Sequence, residues 1–108
     1  MLIRVAVHTI ETELKNAATP VLLTCIHPNA ATKPQIKMLE DVSQAFGQSL
    51  KICLLCEEIP ALFGNIYGIE GTPTYLMVSR NKVVDRLLGQ VEPKILIEFI
   101  EQTLSSIE

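Results

Sequence analysis

The chain has 108 residues, 48% of them apolar, and a net charge of −3. This length predicts a single domain over residues 1–108, and the apolar fraction argues against a disordered chain. Because the sequence contains no run of Lys and Arg, we expect no nucleic-acid partner. No apolar run approaches the roughly 18 residues of a membrane helix, so we expect no membrane span.

The features that bear on location favour the cytoplasm. The first residues, MLIRVAVHTIETEL, contain neither a long apolar segment nor a small-residue cleavage site, so we expect no signal peptide. The three cysteines are an odd number and too few for a disulfide scaffold. We therefore predict a cytoplasmic protein with reduced thiols and without a cofactor. The oligomeric state stays open.

The first half of the chain predicts strands and helices in alternation. Residues 2–7 form a short run rich in Ile and Val that predicts a strand, and residues 9–16 fit a short helix. The apolar run Val21–Ile26 is typical of a strand covered on both faces. Thr32, Pro34 and Gln35 form a typical helix start, because Thr32 can cap the helix and Gln35 completes a capping box. Apolar residues at helical spacing then extend to Phe46.

The second half predicts one more strand and helix, then a hairpin and a final helix. These elements fall at residues 50–56, 60–67, Thr74–Ser79, Lys82–Leu88 and from Glu92 onward. The resulting order, β-α-β-α-β-α-β-β-α, predicts an α/β fold. We expect a mixed central sheet, with parallel strands followed by a C-terminal antiparallel hairpin, and helices on both faces.

Cys53 and Cys56 form a C-x-x-C sequence inside the predicted strand 50–56. Strand side chains alternate between faces, so residues three apart point to opposite sides with Cα atoms about 10 Å apart. A disulfide needs Cα atoms within about 7 Å, and redox C-x-x-C pairs begin a helix instead. Nor does the chain offer a second Cys or His pair for a zinc site. We interpret both residues as structural cysteines.

The segment YGIEGTPT, residues 67–74, resembles the Y-G-I-x-G-x-P-T segment of thioredoxins, and PVLL at residues 20–23 resembles the start of that family's central strand. The resemblance implies a thioredoxin fold over essentially the whole chain. It also implies a cis peptide bond between Thr72 and Pro73. In that family the residue before this proline presents its backbone N–H and C=O to an extended segment of a client protein, a role that falls to Thr72 here.

The catalytic residues of thioredoxins are absent from this chain. Their Cys-Gly-Pro-Cys motif follows the central strand, where this sequence reads CIHPNAATKP at residues 25–34. By the resemblance, the family's buried Asp falls near Leu23 or Thr24 and its supporting Lys near Leu54, and the chain has no Trp. The joint loss favours a non-catalytic protein-binding or chaperone-like module over an enzyme, and the question of activity stays open.

The predicted partner is a protein or extended peptide segment. We expect its binding surface to combine the Thr72–Pro73 segment with the loop after residue 26 and the loop before Pro60. Apolar contacts are expected from Ile59, Ile69 or Ala30. The predicted surface comprises Gly71, Thr72, Pro73, His27, Ala30, Ala31 and Ile59.

The sequence also allows an alternative based on thiols. Cys25 and Cys56 are predicted near the carboxyl ends of neighbouring parallel strands, the edge where α/β folds build their sites. They suggest an atypical thiol–disulfide redox protein, or a weak metal site if His27 joins them. A third class is a structural or scaffolding domain. Of these hypotheses, we favour a protein-binding module that holds no metal.

Overall fold

The computed structural model describes residues 2–28 and 32–107. Its elements follow one another in the predicted order, with a single 3₁₀ turn (Gly47–Ser49) after the second helix. They are β1 (Leu2–Val5), α1 (Ile10–Asn16), β2 (Val21–Ile26), α2 (Thr32–Phe46), β3 (Lys51–Cys56), α3 (Ala61–Tyr67), β4 (Thr74–Ser79), β5 (Lys82–Leu88) and α4 (Pro93–Ser106).

The five strands form one mixed sheet in the order β1-β3-β2-β4-β5. The β1, β3 and β2 strands run parallel, whereas β4 runs antiparallel to β2 and β5 antiparallel to β4. The predicted α/β architecture, with parallel strands followed by a C-terminal hairpin, is therefore confirmed. The hairpin turns at Arg80 and Asn81, whose φ angles of 53° and 65° are typical of the turn that matches strand twist.

Helices cover both faces of the sheet, as predicted, and each face has its own core layer. On one face α1 and α3 pack on the strands, and on the other face α2 and α4 do so. All six residues of β2 are buried, which fits its place in the middle of the sheet. The first layer includes Ile10, Leu14, Leu23, Cys25, Cys53, Leu55 and Phe63, and the second includes Leu22, Ile26, Leu39, Leu54, Tyr75, Leu96 and Ile100.

The β1 strand is shorter than the sequence predicts. Its pairing with β3 ends at Val5, opposite Leu55. Beyond that point, the N–H of Ala6 donates to Oγ1 of Thr9 at 3.0 Å, and the carbonyl of Ala6 accepts the N–H groups of Thr9 and Ile10. A local turn therefore ends the strand, and the N–H of Val7 donates to Oε1 of Glu57 at 2.6 Å instead of pairing in the sheet.

The end of α3 positions the segment that precedes β4. Gly68 ends the helix with a φ of 70°, and its N–H bonds to the carbonyl of Gly64. This left-handed conformation favours glycine. A side chain at Gly68 would also collide with the guanidinium of Arg86, whose Nη1 donates to the Gly68 carbonyl at 3.4 Å. The left-handed turn at Gly68 therefore sets the direction in which the chain leaves α3 and continues to Gly71.

Among the helices that the structure describes, none combines the length and apolarity that crossing a membrane requires.

Candidate partner-binding site

The candidate site lies at one end of the sheet, where the carboxyl ends of β2 and β3 meet the start of β4. In the register, Ile26 lies opposite Cys56, and Cys25 lies opposite Thr74. Because β4 is antiparallel, its first residue comes to the edge where the parallel strands end. This edge is where α/β sheets form their binding sites.

Thr72 is the exposed centre of this edge. Its peptide bond to Pro73 is cis, as expected. The neighbouring carbonyls are occupied: that of Gly71 accepts the hydroxyl of Thr74, and that of Pro73 accepts the N–H of Gly89 at 2.9 Å. Within residues 2–28 and 32–107, neither the N–H nor the C=O of Thr72 has a hydrogen-bond partner. Two backbone groups are therefore open to an incoming chain.

Two surface depressions adjoin at Thr72, which lines both. The first is mainly polar and encloses about 350 Å³. The second encloses about 250 Å³ and has an apolar wall. The polar depression is lined by Ile26, His27, Thr32, Gln35, Thr72, Pro73 and Gln90. The apolar depression is lined by Ile59, Pro60, Ala61, Gly64, Asn65, Ile69, Glu70, Gly71 and Thr72.

A third depression extends this surface past the polar one. It encloses about 240 Å³ and shares Gln35 and Gln90 with the polar depression. Its remaining lining residues are Pro34, Met38 and Val91. We call the three depressions together the Thr72 groove. The groove reaches from the loop after β3 to the loop before α4.

Gln35 is held in the groove by a residue of the core. The hydroxyl of Tyr75 donates to Oε1 of Gln35 at 3.0 Å, and Tyr75 itself is fully buried. Burial raises the pKa of the Tyr75 hydroxyl. The sequence predicts Gln35 only as a capping residue, and it does not predict Gln90 as a residue of the site. A tyrosine inside an apolar strand was the available signal, because a buried hydroxyl needs a partner.

The structure brings together the predicted site residues that it describes. Gly71, Thr72, Pro73, His27 and Ile59 all line the groove. The predicted apolar contact Ile69 does so as well. The remaining two members of the predicted surface, Ala30 and Ala31, lie outside the described residues.

The thiols proposed as a displaced redox pair are not brought together. Cys25 is fully buried in the layer beneath α1 and α3, whereas Cys56 packs against the layer on the other face. The sheet itself therefore separates their sulfur atoms, so a Cys25–Cys56 disulfide has no geometric basis. Cys53 shares the face of Cys25, which confirms that Cys53 and Cys56 point to opposite sides.

Burial also disfavours the ionisation of two of the thiols. It raises the pKa of Cys25 to about 12 and that of Cys53 to about 11. For Cys53, Lys51 lowers the pKa and Glu13 raises it, both less than burial does. Because the thiolate is the nucleophilic form, neither residue is suited to thiol exchange at neutral pH.

The alternative metal site has no geometric support either. His27 is exposed beyond the end of β2, whereas Cys25 is enclosed in the core and Cys56 faces the opposite layer. Within the described part of the chain, no three or more His, Cys, Asp or Glu side chains are grouped so that they could hold a metal ion.

No proton carrier lies where the resemblance would place one. Leu23, Thr24 and Leu54 are all buried in the sheet and none of them ionises at neutral pH. The hydroxyl of Thr24 is fully enclosed and has no hydrogen-bond partner among the described residues. Thr24 thus occupies an apolar position of the core, and its hydroxyl makes no hydrogen bond among the described residues.

A larger depression of about 480 Å³ lies at the opposite end of the sheet. Residues of the α1–β2 loop and the β4–β5 turn line it, among them Thr19, Pro20 and Arg80. It borders the start of β2, and no residue predicted for partner binding contributes to it. We therefore place the candidate site at the Thr72 groove despite its smaller separate volumes.

No protein-family model matches the chain, and a search of curated proteins found no significant relative.

Proposed function

We propose that this protein is a thioredoxin-like, non-catalytic binding module that captures an extended segment of another protein in the Thr72 groove. The fold would be that of thioredoxins, with the strand order, the YGIEGTPT segment and the cis bond before Pro73 as its support. The work of the module would be recognition of a polypeptide chain, as in a chaperone or an adaptor.

One observation carries the proposal: the exposed backbone of Thr72 is unpaired at the meeting point of two depressions. An extended chain that pairs with this N–H and C=O gains main-chain hydrogen bonds. Its alternate side chains would then fall into the polar and the apolar depression. The main chain supplies affinity in such a mode, and the depressions supply specificity.

The chemistry of the thiols supports recognition rather than catalysis. Dithiol exchange requires an accessible, low-pKa thiol beside a second one. Here the pKa of Cys25 and of Cys53 is raised by burial, and Cys56 lies on the face opposite both. We propose a reducing compartment, the cytoplasm, as its location, because three unpaired thiols persist there.

A displayed library of random peptides tests the proposal. The wild-type protein should enrich peptides that bind in an extended conformation. Thr72→Arg should not retain these peptides, because the long side chain obstructs both depressions. A loss of at least about tenfold in affinity is expected, which corresponds to about 1.4 kcal/mol. Gln44→Arg, which adds the same side chain to an exposed position near the end of α2, is the matched control and should bind normally. Equal enrichment by Thr72→Arg would contradict the proposal.

Reduction of insulin disulfides with dithiothreitol as electron donor tests the redox alternative. We expect no acceleration over dithiothreitol alone and three free thiols before and after mild oxidation. Acceleration, or the loss of two thiols, would restore an enzymatic reading.

A further inference from the structure

The charge on the Thr72 groove narrows the class of partner, an inference that rests on the binding function proposed above. Among the described residues that line its three depressions, Glu70 is the only Asp, Glu, Lys or Arg. Glu70 is therefore the one carboxylate among these lining residues, and none of them is a Lys or Arg. It lies in the apolar depression, together with Ile59 and Ile69.

The carboxylate of Glu70 is open to a partner. Glu70 is exposed, and within the described ranges neither ion pair, Lys37–Asp41 or Lys51–Glu13, involves it. Arg86 lines a small depression of about 140 Å³ on the other side of Glu70. Its guanidinium instead donates to the carbonyl of Gly68 and forms no ion pair with Glu70. No Lys or Arg lines the described part of the groove, and Arg86, which shares the small depression with Glu70, forms no ion pair with it.

The surroundings of Glu70 combine apolar area with further negative charge. Glu58, also exposed, directly precedes Ile59 in the chain. On α3, which borders the apolar depression, Leu62 is 73% exposed and Ile66 is 68% exposed. Glu58, Leu62 and Ile66 do not line the depression themselves, so Glu70 is the carboxylate that its described lining provides beside Ile59 and Ile69.

We infer that the Thr72 groove selects extended segments in which a Lys or Arg lies two positions from an apolar residue, so that both side chains face the groove. The apolar side chain packs on Ile59 and Ile69, which removes apolar area from water. The basic side chain reaches the carboxylate of Glu70. An acidic side chain at the same place meets like charge, so the carboxylate contributes specificity more than raw affinity.

Three labelled peptides test this inference. They share one extended sequence, taken from those that the wild-type protein enriches, with Lys, Gln or Glu two positions from its apolar residue, on the same side of the extended chain. Wild type should bind the Lys peptide about threefold to fivefold tighter than the Glu peptide at low salt, the range for an exposed ion pair. Glu70→Gln should remove the preference, and Glu70→Lys should reverse it. At 1 M salt, where screening acts within about 3 Å, the wild-type preference should collapse.

Glu101→Lys is the control for net charge, because Glu101 is exposed on α4 and lines no part of the groove. It should keep the wild-type order of the three peptides. Equal binding of all three by wild type, or an unchanged order in Glu70→Lys, would overturn the inference. If Thr72→Arg still abolishes binding in that case, the proposed function stands without it. If Thr72→Arg binds all three normally, the proposed function fails first.

Discussion

Two short sequences of this chain, C-L-L-C at residues 53–56 and G-T-P at residues 71–73, lie in contrasting parts of the sheet. The first belongs to β3, between two neighbouring strands, where Cys53 is fully buried. The second lies just before β4, at the end of the sheet where β2 and β3 finish. Thr72 is exposed there, and its N–H and C=O have no hydrogen-bond partner among the described residues. The chemistry that a short motif can perform depends on the strand or loop that carries it. Here the sulfur atom of Cys53 is buried, whereas the groups available to a partner are the backbone N–H and C=O of Thr72.

The largest expected difference between these regions is in stability. Leu23→Ala removes a fully buried side chain beside Cys53 in the register and should lower the free energy of unfolding by about 2–5 kcal/mol. Thr72→Ala should change it by less than about 0.5 kcal/mol, because Thr72 is exposed. Urea unfolding measures both. A cost for Thr72→Ala as large as that for Leu23→Ala would mean that the segment is part of the core.

Cys25→Ser sharpens the contrast by separating stability from binding. It buries a hydroxyl in an apolar layer and should cost about 1–3 kcal/mol of unfolding free energy. Peptide affinity, measured by fluorescence anisotropy, should not change. Cys56→Ser is the control, since Cys56 is only half-buried, and we expect a cost below about 1 kcal/mol. Loss of peptide binding in Cys25→Ser would tie the buried thiol to function.

The raised thiol pKa values predict a fall in stability at alkaline pH. Folding holds the protons of Cys25 and Cys53 up to about pH 12 and 11, whereas the unfolded thiols lose them near pH 9. The unfolded state therefore binds fewer protons above pH 9, so the free energy of unfolding decreases as pH rises. Each thiol contributes up to about 1.4 kcal/mol per pH unit in this window. Urea unfolding from pH 8 to 11 should show a shallower fall in Cys25→Ala, and an identical slope would contradict the raised pKa.

The smallest expected effect concerns the hydroxyl of Thr24, which lies opposite Leu54 and Tyr75 in the register, on the face away from Cys25 and Cys53. Thr24→Val replaces an unpartnered, fully enclosed hydroxyl by a methyl group of similar shape. We expect a gain of about 1 kcal/mol in unfolding free energy. Thr24→Ser keeps the hydroxyl and loses the methyl, so it should be less stable than wild type. A loss of stability in Thr24→Val would show that the hydroxyl has a partner.

Much of the fold was predictable because local patterns and tertiary contacts agree. Apolar runs between turn residues predicted β2, β4 and β5 with the bounds found in the structure. The end of β1 differs from the prediction, because the backbone of Ala6 bonds to Thr9 and Ile10 rather than to β3. The apolar residues Ala6 and Val7 continue the strand pattern, so the pattern does not reveal this turn.

The candidate site was predictable to a smaller extent. The segment that contains Thr72 is recognisable because a short motif specifies it. Gln35, in contrast, is held in the groove by a hydrogen bond from the hydroxyl of Tyr75, forty residues later in the chain. The predicted proximity of Cys25 and Cys56 depends on the register of β2 and β3. Placing Ile26 opposite Cys56 puts Cys25 on the other face, and a shift of one residue would reverse that. Spacing in the sequence does not determine this register.

Nuclear magnetic resonance of the ¹⁵N-labelled protein, titrated with a peptide that it enriches, tests the central claim most directly. We predict that the amide of Thr72 shows a large downfield shift and slower hydrogen exchange on binding, because its N–H gains an acceptor. Smaller shifts should follow the groove, at Ile69, Gln35 and Gln90. Shifts confined to the depression at the other end of the sheet, around Thr19 and Arg80, with Thr72 unchanged, would contradict the account.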